Sequence, residues 1–135
     1  DSVVSQMDVA QYILDCAGAR RDDREGISLR PVIENGAAHP RRYAFAEEGS
    51  TVLRRSPPVM SMIRSSEYKL IHFSGSGAGQ LFDLRFDRAE TVNKWDHDDY
   101  RAVRSSLTSD MLAWLYSSLH SHRSFTLHDN STAAG

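Results

Sequence analysis

The spacing of apolar positions changes once along this chain, near residue 41. Upstream, Ile13, Leu14 and Ala17 follow Asp8 at helical spacing and stop at Gly18, which predicts a helix over about 8–17 capped by Asp8, with Gln11 bonding back to it. Gly18 suits the stop because glycine accepts the left-handed backbone that closes a helix. Leu29, Val32 and Ile33 predict a short apolar turn before an Asn35-Gly36-Ala37-Ala38 loop. Downstream, residues 42–47, 59–64, 67–73 and 80–84 gather aromatic and β-branched side chains between Ser, Pro and Gly clusters, as short strands do. Four such segments with short connections predict an antiparallel meander, turning tightly at Ser65-Ser66 and loosely over 74–79.

Alternation in the third strand puts Tyr68, Leu70 and His72 on one face and Lys69, Ile71 and Phe73 on the other. Both faces carry apolar groups, so both are expected to be covered. Asp96, Asp98 and Asp99 suit the positive end of a final helix, along which Val103, Leu107, Met111, Trp114, Leu115 and Leu119 form a core stripe. A polar, disordered tail is expected from Ser121. The fold class is therefore α+β: a small four-stranded antiparallel sheet with a long C-terminal helix packed on it, preceded by one further helix.

At 135 residues and 40% hydrophobic content the chain can bury one modest core. A formal net charge of -2 gives no electrostatic case for nucleic acid, and no segment approaches the roughly 20 apolar residues of a membrane span. The first residue is Asp1, without Met or a signal pattern, so the chain is expected to be processed or part of a longer protein; its compartment stays open. Cys16 has no partner for an internal disulfide and is expected to be a small buried thiol. The charged run over 20–25 cancels in sign and reads as a solvated connection. The glycine-rich stretch 74–79 lacks the helix and Lys-Ser/Thr of a phosphate cradle, and Gly75-Ser76-Gly77 lacks the context of a nucleophile elbow. His120, His122, His128 and Asp129 offer metal-binding atoms on a helix end and tail without a rigid scaffold, so no metal ligand is assigned. Asn130-Ser131-Thr132 is formally a glycosylation sequon, a pattern that chance produces often.

Longer patterns carry a resemblance. The run Gln80-Leu81-Phe82-Asp83-Leu84-Arg85-Phe86-Asp87-Arg88-Ala89-Glu90-Thr91-Val92-Asn93 resembles the L-Y-D-L-x-x-D-P-x-E-x-x-N-L signature near the carboxyl end of sulfatases. Arg64-Ser65-Ser66-Glu67-Tyr68-Lys69-Leu70-Ile71 resembles that family's R-x-x-x-Y-K-L-I strand. Residues 4–18 are similar to V-S-x-x-D-L-x-P-T-L-L-D-L-A-G, and 26–33 to the G-x-S-L-x-P-L-L that follows. The similarity spans about 3–119. Gln11-Tyr12 stands where the family has Pro-Thr, Arg88 replaces the turn proline, and Lys94-Trp95 replaces a small apolar pair.

This resemblance implies the C-terminal portion of a formylglycine-dependent sulfatase of the alkaline phosphatase superfamily. Residues 1–36 would be the end of the parent α/β catalytic domain, 37–120 the C-terminal subdomain, and 121–135 a polar tail. Catalytic and metal-binding residues would lie upstream, none in this chain, and the parent would use calcium and a formylglycine to hydrolyse sulfate esters. Cys16 is not that nucleophile, since Ala17-Gly18-Ala19-Arg20 departs from C-x-P-x-R. The implied partners are the N-terminal catalytic domain of the same enzyme and a sulfated small molecule or glycan, and the chain alone is expected to be inactive. Two alternatives stay open: a phosphonate or phosphodiester hydrolase of the same superfamily, and a stand-alone noncatalytic binding module.

Two clusters have candidate chemistry. His39, Arg41 and Arg42 put cationic donors on one loop, where they suit a sulfated or phosphorylated anion, and family loops of this subdomain often rim the cleft. The alternative is a solvated basic loop. Asp83, Asp87 and Glu90 are close enough to suggest calcium, but carboxylates also stabilise turns by accepting backbone N–H bonds, and that structural role is expected here.

Overall fold

A computed structural model describes residues 2–19, 26–48 and 59–126, with the backbone alone from 120. Helix α1 spans Gln6–Cys16 and α2 spans Arg30–Asn35. Four strands follow, β1 (Ala44–Glu48), β2 (Met60–Arg64), β3 (Tyr68–Phe73) and β4 (Gly79–Asp83), then a 3₁₀ turn at Asp98–Tyr100 and helix α3 at Arg101–Thr126. The strands lie in the order β1-β2-β3-β4, each antiparallel to the next, which is the meander expected.

Register explains the core. Phe45 pairs with Ile63, Ile63 with Leu70, and Leu70 with Leu81, so one apolar row crosses all four strands on a single face. Helix α3 lies over that row. Leu107 and Met111 join Ile63, Leu70 and Leu81 in the buried cluster, with Val103 and Leu115 packed against it, so the helix meets the sheet through positions four apart. Trp114 meets the same sheet at its edge strand. Its ring stacks on Phe45 of the edge strand at 4.4 Å and 5°. Leu119 is 61% exposed, so the stripe ends before the helix does. The helix itself continues to Thr126, past the start expected for the tail.

The outer edge of β4 needs its own cover, because an open row of N–H and C=O groups recruits other strands. Asn93 and Lys94 supply it. The Asn93 side chain accepts from the Leu81 N–H at 2.9 Å and donates to the Gly79 carbonyl at 3.2 Å, while the Lys94 N–H reaches the Leu81 carbonyl at 2.7 Å. Beside it Trp95 lies on Gly79, where a Cβ would fall 2.3 Å from the ring. Trp95 is thus accommodated by the absence of a side chain on the strand beneath it.

Helix α1 starts two residues before the expected position, and its cap lies three residues before the expected one. Its N-cap is Ser5, and Asp8 stands in the first turn, accepting the Ser5 N–H at 2.7 Å. Gln11 consequently falls in the second turn and is buried. At the other end Gly18 adopts φ 66°, and the Gly18 and Ala19 N–H groups return to the Asp15 and Leu14 carbonyls, so the helix closes where expected. Cys16 is exposed, contrary to the buried thiol expected. The reason is orientation: α1 is held through Asp8 and Gln11, which leaves the face of Val9, Ile13 and Cys16 outward. Among the described residues no helix is long and apolar enough to cross a membrane.

Candidate functional site

Three loops converge on Asp8, which is fully buried. Oδ2 accepts from the Ser5 N–H at 2.7 Å and from Arg41 Nε at 2.7 Å, and Oδ1 accepts from the Ile27 N–H at 2.9 Å and from the Arg41 NH2 group. Every donor here points at a carboxylate. Burial pushes the Asp8 carboxyl up, yet the Arg41 bonds and the two backbone N–H groups outweigh it and hold the pKa below the ordinary 3.8. His39 is packed into the same cluster. Its Nδ1 accepts a long bond from the Arg41 N–H at 3.4 Å, and its Nε2 lies 3.8 Å from Oδ2 of Asp8.

Of the three cationic candidates, two are therefore turned inward. His39 has a fully buried side chain and Arg41 is 12% exposed, both committed to the start of α1. Arg42 is the exposed one, with its guanidinium 4.9 Å over the Tyr43 ring. The signal that sequence reasoning missed was Asp8 itself. Taken as a helix cap, it was given a local partner, whereas its cationic partner lies 33 residues away.

The acidic turn shows why its carboxylates are where they are. Asp83 is 2% exposed and accepts from Arg85 Nε at 2.9 Å and from the Tyr100 hydroxyl at 3.1 Å. Asp87 accepts from the Thr91 hydroxyl and the Val92 N–H, and Glu90, with φ 56°, holds Lys69 Nζ at 2.6 Å. Each acid thus fixes a different part of the reversal from β4 toward α3. Arg85, paired with Asp83, also lies 4.8 Å over the Tyr68 ring. Arg88, standing at the family's proline position, is exposed beside Arg64.

Among the described residues no three His, Cys, Asp or Glu side chains come together as a metal site. The side chains of His120 and His122, and all of His128, Asp129 and the Asn130 sequon, lie outside the described residues, as does the charged run over 20–25.

A small antiparallel sheet under one long helix, left through an Asp-Asn turn, is the C-terminal architecture that the sulfatase motifs implied. The family model for the N-sulphoglucosamine sulphohydrolase C-terminal region matches residues 1–116, and the chain belongs to that family. Among solved structures, it is similar to a protein captured with its substrate D-glucosamine-2-N,6-O-disulfate, at 24% identity and a TM-score of 0.65 over 94% of this chain and 25% of that one. A 2-O GAG sulfatase matches at 23% identity and 0.72, over 87% of this chain and 26% of its own. The phosphonate monoester hydrolase of Silicibacter pomeroyi matches at 23% and 0.68, over 84% and 25%. These likenesses concern the fold, and the chain spans about a quarter of each structure's length. No curated protein sequence matches the chain.

Proposed function

We propose that this chain is the C-terminal part of an enzyme that hydrolyses sulfate esters, with the reacting groups on the preceding domain. The observation that carries this is the family match over 1–116 on a chain only a quarter as long as its structural relatives. In this reading calcium and a formylglycine belong to the upstream catalytic domain, for the carboxylates described above are engaged in turns and ion pairs. The substrate is a sulfated small molecule or glycan, in keeping with one structural relative held with D-glucosamine-2-N,6-O-disulfate and another that is a 2-O GAG sulfatase.

The chain's own contribution is to shape the cleft. The half-buried Met60, Met62, Ile71 and Phe73 lie on the sheet face opposite α3, and Val9 and Ile13 face outward on α1; both surfaces fit burial against the catalytic domain. His39 and Arg41 serve substrate choice indirectly, by fixing the loop from which Arg42 projects. The test is hydrolysis by the complete enzyme of an aryl sulfate and of a phosphonate monoester, each with and without added calcium. Turnover of the sulfate ester is expected to dominate, and a clear preference for the phosphonate would transfer the assignment to the second reading, which the Silicibacter pomeroyi likeness favours.

A further inference from the structure

Helix α3 has apolar residues on two sides. Val103, Leu107, Met111 and Leu115 meet the sheet, while on the opposite side Leu112, Tyr116 and Leu119 are 46%, 63% and 61% exposed. With Ser105 and Ser109 these three recur at steps of four and three, the spacing by which one helix packs along another. In the proposed assembly the catalytic domain takes the other face of the sheet, so this side of α3 stays on the outside of the complete enzyme.

The two halves of the seam differ in size. Leu112, Tyr116 and Leu119 stand toward the C-terminus, whereas Ser105, Thr108 and Ser109 border an open hollow of about 800 Å³ that Trp95, His72 and Arg104 also line. The arginines there are already engaged, Arg104 by the Trp95 carbonyl and Arg101 by Asp98, so the hollow favours an apolar occupant over an anion.

We propose that this face docks a second copy of the chain, with the two α3 helices antiparallel about a twofold axis at the height of Asp110 and Met111. That alignment sets Ser109 against Leu112 of the other copy, Ser105 against its Tyr116 and Ala102 against its Leu119. A large side chain thus meets a small one at each level, and symmetry repeats every contact. Tyr116 enters the hollow beside Trp95, where two aromatic rings can pack edge to face or offset. Charge agrees with this direction. Asp96, Asp98 and Asp99 precede α3, whereas from Met111 to Thr126 it carries Arg123 and no acid, so antiparallel pairing brings opposite ends and their dipoles together. Over 26 residues the helix is about 39 Å long, a length along which two copies can bury the roughly 800 Å² per partner of a stable interface.

Sedimentation velocity of the complete enzyme over a concentration series tests the pairing. The wild type is expected to be dimeric at micromolar concentration. Ser109→Glu and Leu112→Lys each set a charge against the other copy's seam at two symmetric points, and each should raise the dissociation constant at least about tenfold. Combined in one chain, the two face each other across the axis with opposite sign and should restore much of the dimer. Both positions are exposed, and recovery in the double variant separates lost pairing from lost folding. A monomeric wild type would overturn the proposal and hand the face to another occupant. Single variants that dimerise like the wild type, or a double variant no better than either single, would overturn it as well. The readout is mass, so the result is independent of whether the enzyme acts on sulfate or phosphonate esters.

Discussion

Replacing Asp8 by Asn should destabilise the junction between α1 and the loop before β1 almost as much as removing the side chain. Both carboxylate oxygens accept two donors each, from Ser5 and Ile27 of the backbone and from the two nitrogens of Arg41. An asparagine amide must turn its own NH2 toward one of those pairs. Whichever way it flips, two hydrogen bonds become donor-donor contacts, and Arg41, only 12% exposed, loses its counter-charge. Breaking one partner out of a buried ion pair costs about 3–5 kcal/mol. Simple addition of the four bonds would give more, but such sums overshoot because neighbouring contacts are not independent. Urea denaturation of wild type and Asp8→Asn measures the loss, and hydrogen exchange at the Ile27 amide locates it. A change below about 1 kcal/mol, or unaltered Ile27 protection, would refute the clamp. The pH dependence gives a second readout of the same group. Since the folded carboxyl lies below the ordinary 3.8, its stabilisation is complete above that value and is lost as the pH falls below it through the lower folded pKa. Asp8→Asn should flatten that acid limb while leaving stability near neutrality uniformly lower.

Trp114→Ala should cost about 2–3 kcal/mol in chemical denaturation, below the range for a fully buried tryptophan, because the ring is half-buried and meets Phe45 alone among the aromatic rings described. A loss equal to that of Met111→Ala or larger would mean that the indole reaches the central row. Gly79→Ala should lower the midpoint of thermal unfolding, since its Cβ would sit inside the Trp95 ring, and should be tolerated once Trp95→Ala is also present. Equal effects in the two backgrounds would show that Trp95 does not lie on the strand. The isolated 135-residue chain should not hydrolyse an aryl sulfate with calcium present. Turnover that survives purification and disappears on changing a residue of this chain would contradict the assignment of the chemistry to the upstream domain.

Period was enough to read the sheet because each strand carries its own local evidence. Leu70 and Ile63 are apolar at positions where alternation puts them on one face, and Ser65-Ser66 marks the turn that aligns them, so register follows from a few adjacent residues. The same logic failed wherever the partner was distant. Asp8 beside a helical pattern has an ordinary local explanation as a cap, and nothing in residues 5–12 signals that an arginine 33 positions away will claim it. Helical spacing puts Trp114 on the core stripe, and it does meet the sheet, though at its edge. A position one residue before Leu115 nevertheless turns the side chain by about 100° toward the edge strand, where Phe45 waits. The basic candidates divide along this line as well. His39 and Arg41 read as surface cations because a loop of polar residues is ordinarily solvated, and their burial is caused by one carboxylate that sequence proximity does not reveal. Arg42, Arg64 and Arg88 are separated by more than 20 residues at each step and come to one turn only through the meander. Local pattern thus specifies which elements form, while the charged contacts that join them depend on the assembled fold.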